Sequence, residues 1–408
     1  MSNVYDELLQ RGFIQQASNE ANLRKKLSEE KITCYNGFDA TADSLHAGHL
    51  LPIMALAHMQ RFGHKPIAIL GGGTTMIGDP SGRTEMRQML TREQIIANGE
   101  KIRKQFARFL DFDGGRAIML DNAEWLLTLN YVEFLRDIGR HFSVNRMLAA
   151  ETYKARLETG LSFIEFNYQV LQAYDFLMLY RRYGCTLQMG GNDQWGNILA
   201  GVDLIRRLES VEVEALTFPL LTTADGKKMG KTAAGAVWLS AERFSPYDFY
   251  QYWVNVDDRD VGRFLKYFTF LSLEEIKTLE ALEGADLRQA KAVLAFEVTK
   301  NVHGEEAARQ AREAAQALFG HGPAAENVPQ INLPKQNFQE GMSVIDLFVA
   351  AGLASSKSEA RRLISQGGAS VNQRRIQAID EKVDLRDVPE GALMLRAGKK
   401  RYQKIVLT

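Results

Sequence analysis

Two cysteines in 408 residues, Cys34 and Cys185, stand far apart in the chain. They form neither a metal-ligand spacing nor a disulfide framework, and they fit a reduced setting. No apolar run is long enough to cross a bilayer. The opening Met-Ser-Asn-Val-Tyr-Asp-Glu-Leu-Leu lacks the character of a signal peptide. The expectation is a soluble, cytoplasmic protein. Charge of one sign is not in excess: Lys+Arg and Asp+Glu are both 50. Global charge therefore points to no nucleic-acid partner, and any RNA surface has to be local. Two nucleotide-binding signatures are also missing. Gly71-Gly72-Gly73 does not fit G-x-G-x-x-G, and Gly226 precedes Gly230-Lys231-Thr232 by one residue too few for a phosphate-binding P-loop. Ordinary dehydrogenase and ATPase chemistry lose their main support.

What is present suffices for two or three domains with substantial cores, since 45% of residues are hydrophobic. Residues 2–30 read as short amphipathic helices. Strands and helices then alternate: strand 31–37, helix 44–62, strand 66–72, helix 91–111, strand 116–120, helices to about 182, strand 185–190, a helix to Leu208 and a strand near 213–221. Such alternation predicts an α/β fold with a Rossmann-like parallel sheet and helices on both faces. Ligands then sit at the carboxyl ends of the strands, where Tyr35, Gly37, Asp79 and Gly190 to Gln194 fall. Residues 245–319 read as helical. Residues 321–338 hold Pro323, Pro329 and Pro334 without periodicity and read as a linker. The last stretch is a small α+β module in which Ser343 starts one helix, Ser356 with Glu359 caps the next, and Gly367-Gly368 stops it. From Ser355 to Thr408 the chain carries 12 Lys+Arg against 6 Asp+Glu. Arg361, Arg362, Arg374, Arg375, Lys399, Lys400, Arg401 and Lys404 crowd that module, a pattern that favours RNA phosphates over a merely solvated face.

Three constellations carry the chemistry. The first is His46-Ala47-Gly48-His49 after the strand ending at Gly37. With a helix capped by Asp43 or Ser44, both rings lie on its first turns beside free backbone N–H groups, a site for an anion. Taken alone, the motif fits two surface histidines equally well; no Cys or acidic partner at ligand spacing supports zinc, and no metal site is expected. Gly37 leaves room for something flat. The second is Lys228-Met229-Gly230-Lys231-Thr232, two cations on a glycine-bearing loop. The third is Tyr168, Gln172 and Asp175 at i, i+4 and i+7, which share one helix face. Their neighbours are nearly all apolar or aromatic, so the row reads as buried, and a buried polar row needs a partner.

The histidine and lysine motifs, in this order and this far apart, resemble the "HIGH" and "KMSKS" signatures of class I aminoacyl-tRNA synthetases. Their context resembles tyrosyl-tRNA synthetases of the bacterial type from about residue 32 to the C-terminus. The family pattern has Ser where Gly230 stands, and Thr232 keeps the hydroxyl of its last Ser. The resemblance implies a Rossmann-like catalytic domain (1–225), a helical domain carrying the lysine loop (226–320), a linker (321–338) and an RNA-binding domain (339–408) like that of small-subunit ribosomal protein four. It implies activation of tyrosine with ATP, magnesium arriving with the nucleotide, and transfer to tRNA-Tyr. Thr41, His46, Lys228, Lys231, Arg83 and Arg87 would serve the phosphates during catalysis, and His49, also among the catalytic residues, would sit by the ribose ring or backbone. Gly37, Asp39, Gly191, Asp193 and Thr232 would complete the ATP site. Tyrosine would meet Tyr35, Asp79, Tyr168, Gln172, Asp175, Gln188 and Gln194, its phenol donating to Asp175 and accepting from Tyr35. Such a site rejects an analogue lacking the hydroxyl, and this same family is the reference case for that effect. The family is a homodimer, with residues 120–165 at the interface; Trp125, Phe142 and Phe163 are candidate contacts, and a plain core role fits them as well. Arg206 and Arg207 would touch the tRNA acceptor stem.

Three alternatives stay open on the residues. A tryptophanyl-tRNA synthetase shares the chemistry, but Tyr35 with Asp175 and the C-terminal module favour tyrosine. A nucleotidylyltransferase shares the His-x-Gly-His start but does not need the basic module. A non-catalytic RNA-binding protein could keep the fold but has no use for Lys228 and Lys231.

Overall fold

The computed structural model describes residues 3–81, 89–226, 229–232, 235–319, 329–339, 341–372, 374–388, 391–398 and 401–408. The chain divides into two compact units, Met1–Phe244 with Val256–Gly304, and Ser245–Asn255 with Glu305–Thr408. Among the described residues no helix is long and apolar enough to cross a membrane.

The first unit is built on six strands: β1 (Gln16–Ala17), β2 (Thr33–Phe38), β3 (Lys65–Leu70), β4 (Ile118–Asp121), β5 (Cys185–Gly191) and β6 (Glu214–Phe218). They lie in the order β1-β6-β5-β2-β3-β4. All neighbours run parallel except β1, which pairs antiparallel with β6 through Gln16↔Thr217 and Ala17↔Leu216. The strand order reverses at β2, flanked by β3 and β5, and the crevice beyond their carboxyl ends is where such sheets bind ligands. The burial of β3 on both faces explains its apolar run from Pro66 to Leu70.

The helix after β2 starts later than its periodicity suggested. Residues 39–46 form a loop, Ala47–His49 a 3₁₀ turn, and the α-helix spans Leu50–Arg61. Asp43 and Ser44 cap nothing, because tertiary partners take their side chains. Asp43 pairs with Lys101 at 3.0 Å and Arg243 at 2.7 Å. Ser44 Oγ accepts from Gln105 Nε2 at 2.9 Å and from the Ser240 amide at 3.1 Å.

Residues 123–159 break into short helices, Ala123–Leu126, Tyr131–Asp137, Val144–Leu148 and Glu151–Thr159. The 21-residue helix Phe163–Tyr183 follows and ends on Gly184 in the left-handed region. Ser162 and Glu165 form a capping box at its start. Glu165 also meets Arg156 through two 3.0 Å hydrogen bonds, a buried ion pair that fixes one helix on the next. Ser162→Ala should cost about 1 kcal/mol of stability in a urea titration; an unchanged midpoint would mean that Arg156 alone sets this helix start.

Beyond β6, the hairpin β7 (Lys231–Thr232) and β8 (Gly235–Ala236) leads into residues that run along the histidine turn. The Ala47 amide donates to Val237 O at 2.8 Å, and the Leu239 amide to Leu45 O at 2.8 Å. Helices Val261–Phe268, Leu273–Glu280 and Leu287–His303 complete the unit. Arg11, 3% exposed, ties the N-terminal helix to them by donating to the carbonyls of Lys266, Thr269 and Leu271.

In the second unit, helix Pro246–Val254 packs on helix Glu305–Phe319. The C-terminal module has helices Val344–Ala350 and Lys357–Ser365 and a five-stranded sheet. Its strands are β9 (Gln330–Leu333), β11 (Ala369–Val371), β12 (Arg374–Arg375), β14 (Ala392–Ala397) and β15 (Arg401–Leu407), in the order β12-β11-β14-β15-β9; a separate pair joins β10 (Met342–Ser343) to β13 (Lys382–Val383). The stretch expected as linker is structured where it is described. Residues 330–333 are the edge strand β9, parallel to β15, and Phe338 is buried in the module's core. Prolines hid this, because Pro329 and Pro334 bracket an edge strand that needs ladder bonds on one side only. The Ser356 cap accepts the Glu359 amide at 3.2 Å, but the Glu359 carboxylate turns to Ser355 instead of completing a box.

Candidate functional site

One cleft of ≈ 970 Å³ opens at the carboxyl ends of β2, β3, β5 and β6. Four segments of the first unit bring expected site residues to it. From β2 and the loop after it come Tyr35, Gly37, Asp39, Thr41, His46 and His49; from the loop after β3, Asp79. Helix Phe163–Tyr183 contributes Tyr168, Gln172 and Asp175, and β5 with the following turn contributes Gln188, Gly191, Asp193 and Gln194. The i, i+4, i+7 row thus faces the cleft, not solvent.

Asp175 is buried at the floor. It accepts from Asn122 Nδ2 at 2.9 Å and from Trp125 Nε1 at 2.7 Å. Burial pushes its carboxyl up to about 7; the two donors pull it back, and the carboxylates of Asp39 and Asp121 add to the rise. Tyr35, 2% exposed, packs its ring 5.3 Å from Phe176. Its hydroxyl has no hydrogen-bond partner among the described residues, and burial with the nearby Asp175 keeps it firmly protonated. Gln188 Oε1 is likewise buried without a partner. An unsatisfied buried hydroxyl near a buried carboxylate is a pair that a polar aromatic ligand can satisfy.

A second polar group lies at the cleft's other wall. Asp79, 7% exposed, accepts from Gln194 Nε2 at 2.7 Å and from the Ser81 amide at 2.9 Å. Asp39, expected with the nucleotide, accepts from Thr74 Oγ1 at 3.0 Å and from Tyr168 Oη at 3.4 Å. A side chain at Gly71 would collide with Asp39 and Thr74, and one at Gly72 with Asp121, which explains the glycines after β3.

The histidine turn differs from the helix-start picture. His46 has extended backbone (φ −127°, ψ 170°) and caps the 3₁₀ turn with its own ring, Nδ1 accepting the Gly48 amide at 3.0 Å. His49 Nδ1 accepts the His46 amide at 3.1 Å. Two backbone N–H groups expected to face an anion are therefore taken by the rings, and neutral rings carry their protons on Nε2. The rings sit 4.0 Å apart. Gly230 rests on this turn with φ 87°; a Cβ there would come within 2.9 Å of the Gly48 amide nitrogen and 3.3 Å of His46 Nδ1. Open space stands over Gly37, whereas a Cβ at Gly191 would lie 2.6 Å from Asp193 Oδ1.

Of the remaining site residues, Arg83, Arg87, Lys228, Lys399 and Lys400 lie outside the described residues, and of Lys231 and Thr232 only the backbone is described. Arg206 and Arg207 both pair with Asp203, at 2.5 and 3.0 Å, and Arg146 joins them at 3.1 Å. In the C-terminal module Arg361, Arg362, Arg374, Arg375 and Arg401 are exposed. Arg374 pairs with Glu381. Hydrogen bonds from Ser355, with Arg401 and Arg362 nearby, hold the Glu359 carboxyl below its usual range, so these arginines share one face. Trp125, a candidate for either a subunit contact or the core, is 2% exposed and donates to Asp175; Phe142 is half-buried and Phe163 is exposed.

Sequence reasoning missed Asn122 and Asn197. Asn122 directly follows β4, so the rule of strand carboxyl ends could have found it. Asn197, 1% exposed, stands three residues after Gln194 on the next helix and bonds to it.

A sequence profile described as tRNA synthetases class I (W and Y) matches residues 26–320. A profile described as the tyrosine–tRNA ligase SYY-like C-terminal domain matches residues 323–405. The tyrosine–tRNA ligase of Clostridium kluyveri is 55% identical over 407 residues, covering 100% of each chain. That of Acetivibrio thermocellus is 54% identical over the same span. Among solved structures, a C-terminally truncated mitochondrial tyrosyl-tRNA synthetase of Aspergillus nidulans aligns with a TM-score of 0.71 at 30% identity, covering 78% of this chain and 95% of that one. The chain belongs to the class I tRNA synthetases of the tryptophan and tyrosine type and, within them, to the tyrosine–tRNA ligases.

Proposed function

We propose that the chain activates tyrosine with ATP, releasing pyrophosphate, and passes the tyrosyl group from its adenylate to the 3′ end of tRNA-Tyr. A carboxylate oxygen of tyrosine attacks the α-phosphorus, and the bond to the β-phosphate oxygen breaks. Such a step asks for positioning and charge more than for covalent help. The observation that carries the reading is the unpartnered Tyr35 hydroxyl in the cleft that also holds Asp175. A phenol between them donates to the carboxylate and accepts from Tyr35, so both are satisfied at once.

Asp79, Tyr168, Gln172 and Gln194 then face the ammonium, with Gln188 supporting them. Gly37 and Gly191 leave the nucleotide room, Asp193 takes the ribose hydroxyls, and Asp39 supports Tyr168. Thr41 and His46 serve the phosphates on one side, His49 lies by the ribose, and Lys228, Lys231, Arg83 and Arg87 serve the phosphates on the other. Magnesium enters with ATP, held by the phosphates and water. The exposed arginines of the C-terminal module supply phosphate contacts to the tRNA. Arg206 and Arg207 reach an acceptor stem only by leaving Asp203.

A homodimer is supported by apolar residues exposed between 131 and 163: Tyr131, Val132, Val144 and Phe163 are 55–72% exposed. The reduced cysteines fit a cytoplasmic protein. Exchange of labelled pyrophosphate into ATP, with tyrosine, tryptophan and phenylalanine compared without tRNA, tests the reading. Exchange with tyrosine alone is expected; exchange with tryptophan would move Asp175 and Tyr35 to other work.

A further inference from the structure

We propose that Asn197 is a positioning residue for the amino-group side of the tyrosine site, acting through Gln194 and Gln172. This rests on the pocket reading above. Asn197 stands behind the cleft wall, 1% exposed, on the first turn of helix Trp195–Glu209. Its amide nitrogen lies 3.1 Å from Gln194 Oε1, 3.2 Å from Gln172 Oε1 and 3.3 Å from Ser81 Oγ. Its own Oδ1 has no partner among the described residues. The side chain is thus committed as a donor, with two N–H groups facing three acceptors.

That commitment decides how two glutamines point. A glutamine amide turns through two nearly equivalent orientations unless a partner breaks the tie. Gln194 shows its oxygen to Asn197, and so its Nε2 goes to Asp79 Oδ2 at 2.7 Å. Turned over, it would set an oxygen against the Asp79 carboxylate. The Ser81 amide holds the other Asp79 oxygen at 2.9 Å, so the carboxylate is fixed from both sides. Gln172 Oε1 is drawn toward Asn197 in the same way and keeps a second lone pair for an ammonium donor. Helix Phe163–Tyr183 supports the arrangement, since Gln169 Nε2 donates to Gly196 O at 3.0 Å beside Asn197. Removing the Asn197 donor frees both amides and weakens recognition of the ammonium, while phenol and nucleotide contacts remain.

The test compares the full chain with Asn197→Leu, which has similar volume and no donor, and Asn197→Ser, which keeps a shorter donor. Pyrophosphate exchange gives KM for tyrosine and ATP, and inhibition by 3-(4-hydroxyphenyl)propionate reads binding of the same phenol and carboxylate without the amino group. Asn197→Leu is expected to raise the tyrosine KM about tenfold, with kcat, the ATP KM and the inhibition constant within about twofold. Asn197→Ser should fall between, a partial rescue. An unchanged tyrosine KM, or equal weakening of tyrosine and the deaminated analogue, overturns the assignment and makes Asn197 a packing residue. If the leucine variant does not fold, the serine variant decides by the same two readings. Absence of tyrosine-dependent exchange in the unaltered chain would instead overturn the pocket reading itself.

Discussion

Asp175→Ala is expected to lower kcat/KM for tyrosine in pyrophosphate exchange by about 10³-fold, equivalent to ~4 kcal/mol, while binding of tRNA is retained. The variant removes the acceptor of the phenol and strands two donors, Asn122 Nδ2 and Trp125 Nε1. Equal loss of activation and tRNA binding in a folded protein would contradict the pocket assignment. The raised carboxyl adds a pH signature. Below about 7 Asp175 holds a proton in the free chain and accepts poorly, so kcat/KM for tyrosine should fall by about tenfold per pH unit on the acid side. A flat profile between pH 6 and 8 would sink that role. Stability runs the opposite way. The folded value lies above the ~3.9 of an unfolded aspartate, so the native state carries the extra proton between those values. The associated stability is present at low pH and lost as pH rises through about 7. Asp175→Asn removes the titrating group and should leave a less active protein whose stability no longer falls between pH 5 and pH 8, measured by urea titration at both. The carboxylate is therefore a place where function is kept against stability.

Gly230→Ala should lower kcat for activation by about 10²-fold, with tyrosine binding within about twofold. At φ 87° an L residue is strained, and its Cβ would press on the Gly48 amide nitrogen and His46 Nδ1. The Val237 amide donates to Gly230 O at 2.9 Å, and the Met229 amide to Leu221 O at 2.9 Å, so the loop is stitched to its surroundings on both sides of the glycine. Moving it displaces Lys231 next door and the histidine turn beneath. The Ser of the wider class pattern would meet the same crowding here, which gives the glycine a physical reason. Single-turnover rates with a parallel tyrosine titration check this. A fully active alanine variant would mean that the turn and the loop need not touch during the reaction.

The parts of this fold legible in the sequence are those with a long period or a strong stop. The row Tyr168, Gln172, Asp175 was visible because a 21-residue helix repeats its face several times, and Ser162 and Gly184 mark its ends. Strand β3 was visible because burial on both sides leaves a continuous apolar run, and the other parallel strands because glycines and helical patterns bound them. What failed was short or tertiary. β1 is two residues long and has no period to detect. The helix after β2 is buried almost all round, so its apolar residues carried no information on where it began. The histidine rings cap their own turn, a use of imidazole that residue preferences do not anticipate. Trp125 stayed open between interface and core because the partner of its indole N–H, Asp175, lies fifty positions away. Asn197 was silent for the same reason, being recognisable only once two glutamines converge on it.

The antiparallel edge formed by β1 has a consequence for how the chain is made. Gln16 and Ala17 leave the ribosome early, but their partners Thr217 and Leu216 follow some two hundred residues later. At about 5–20 residues per second, that is a wait of roughly 10–40 s. Arg11 waits longer still, since its carbonyl acceptors at Lys266, Thr269 and Leu271 are made later. During synthesis Arg11, Gln16 and Ala17 lack these partners, and their docking is the late event that closes the sheet. A nascent chain halted before residue 214 should leave the amino-terminal segment open to protease, and one released past residue 271 should protect it.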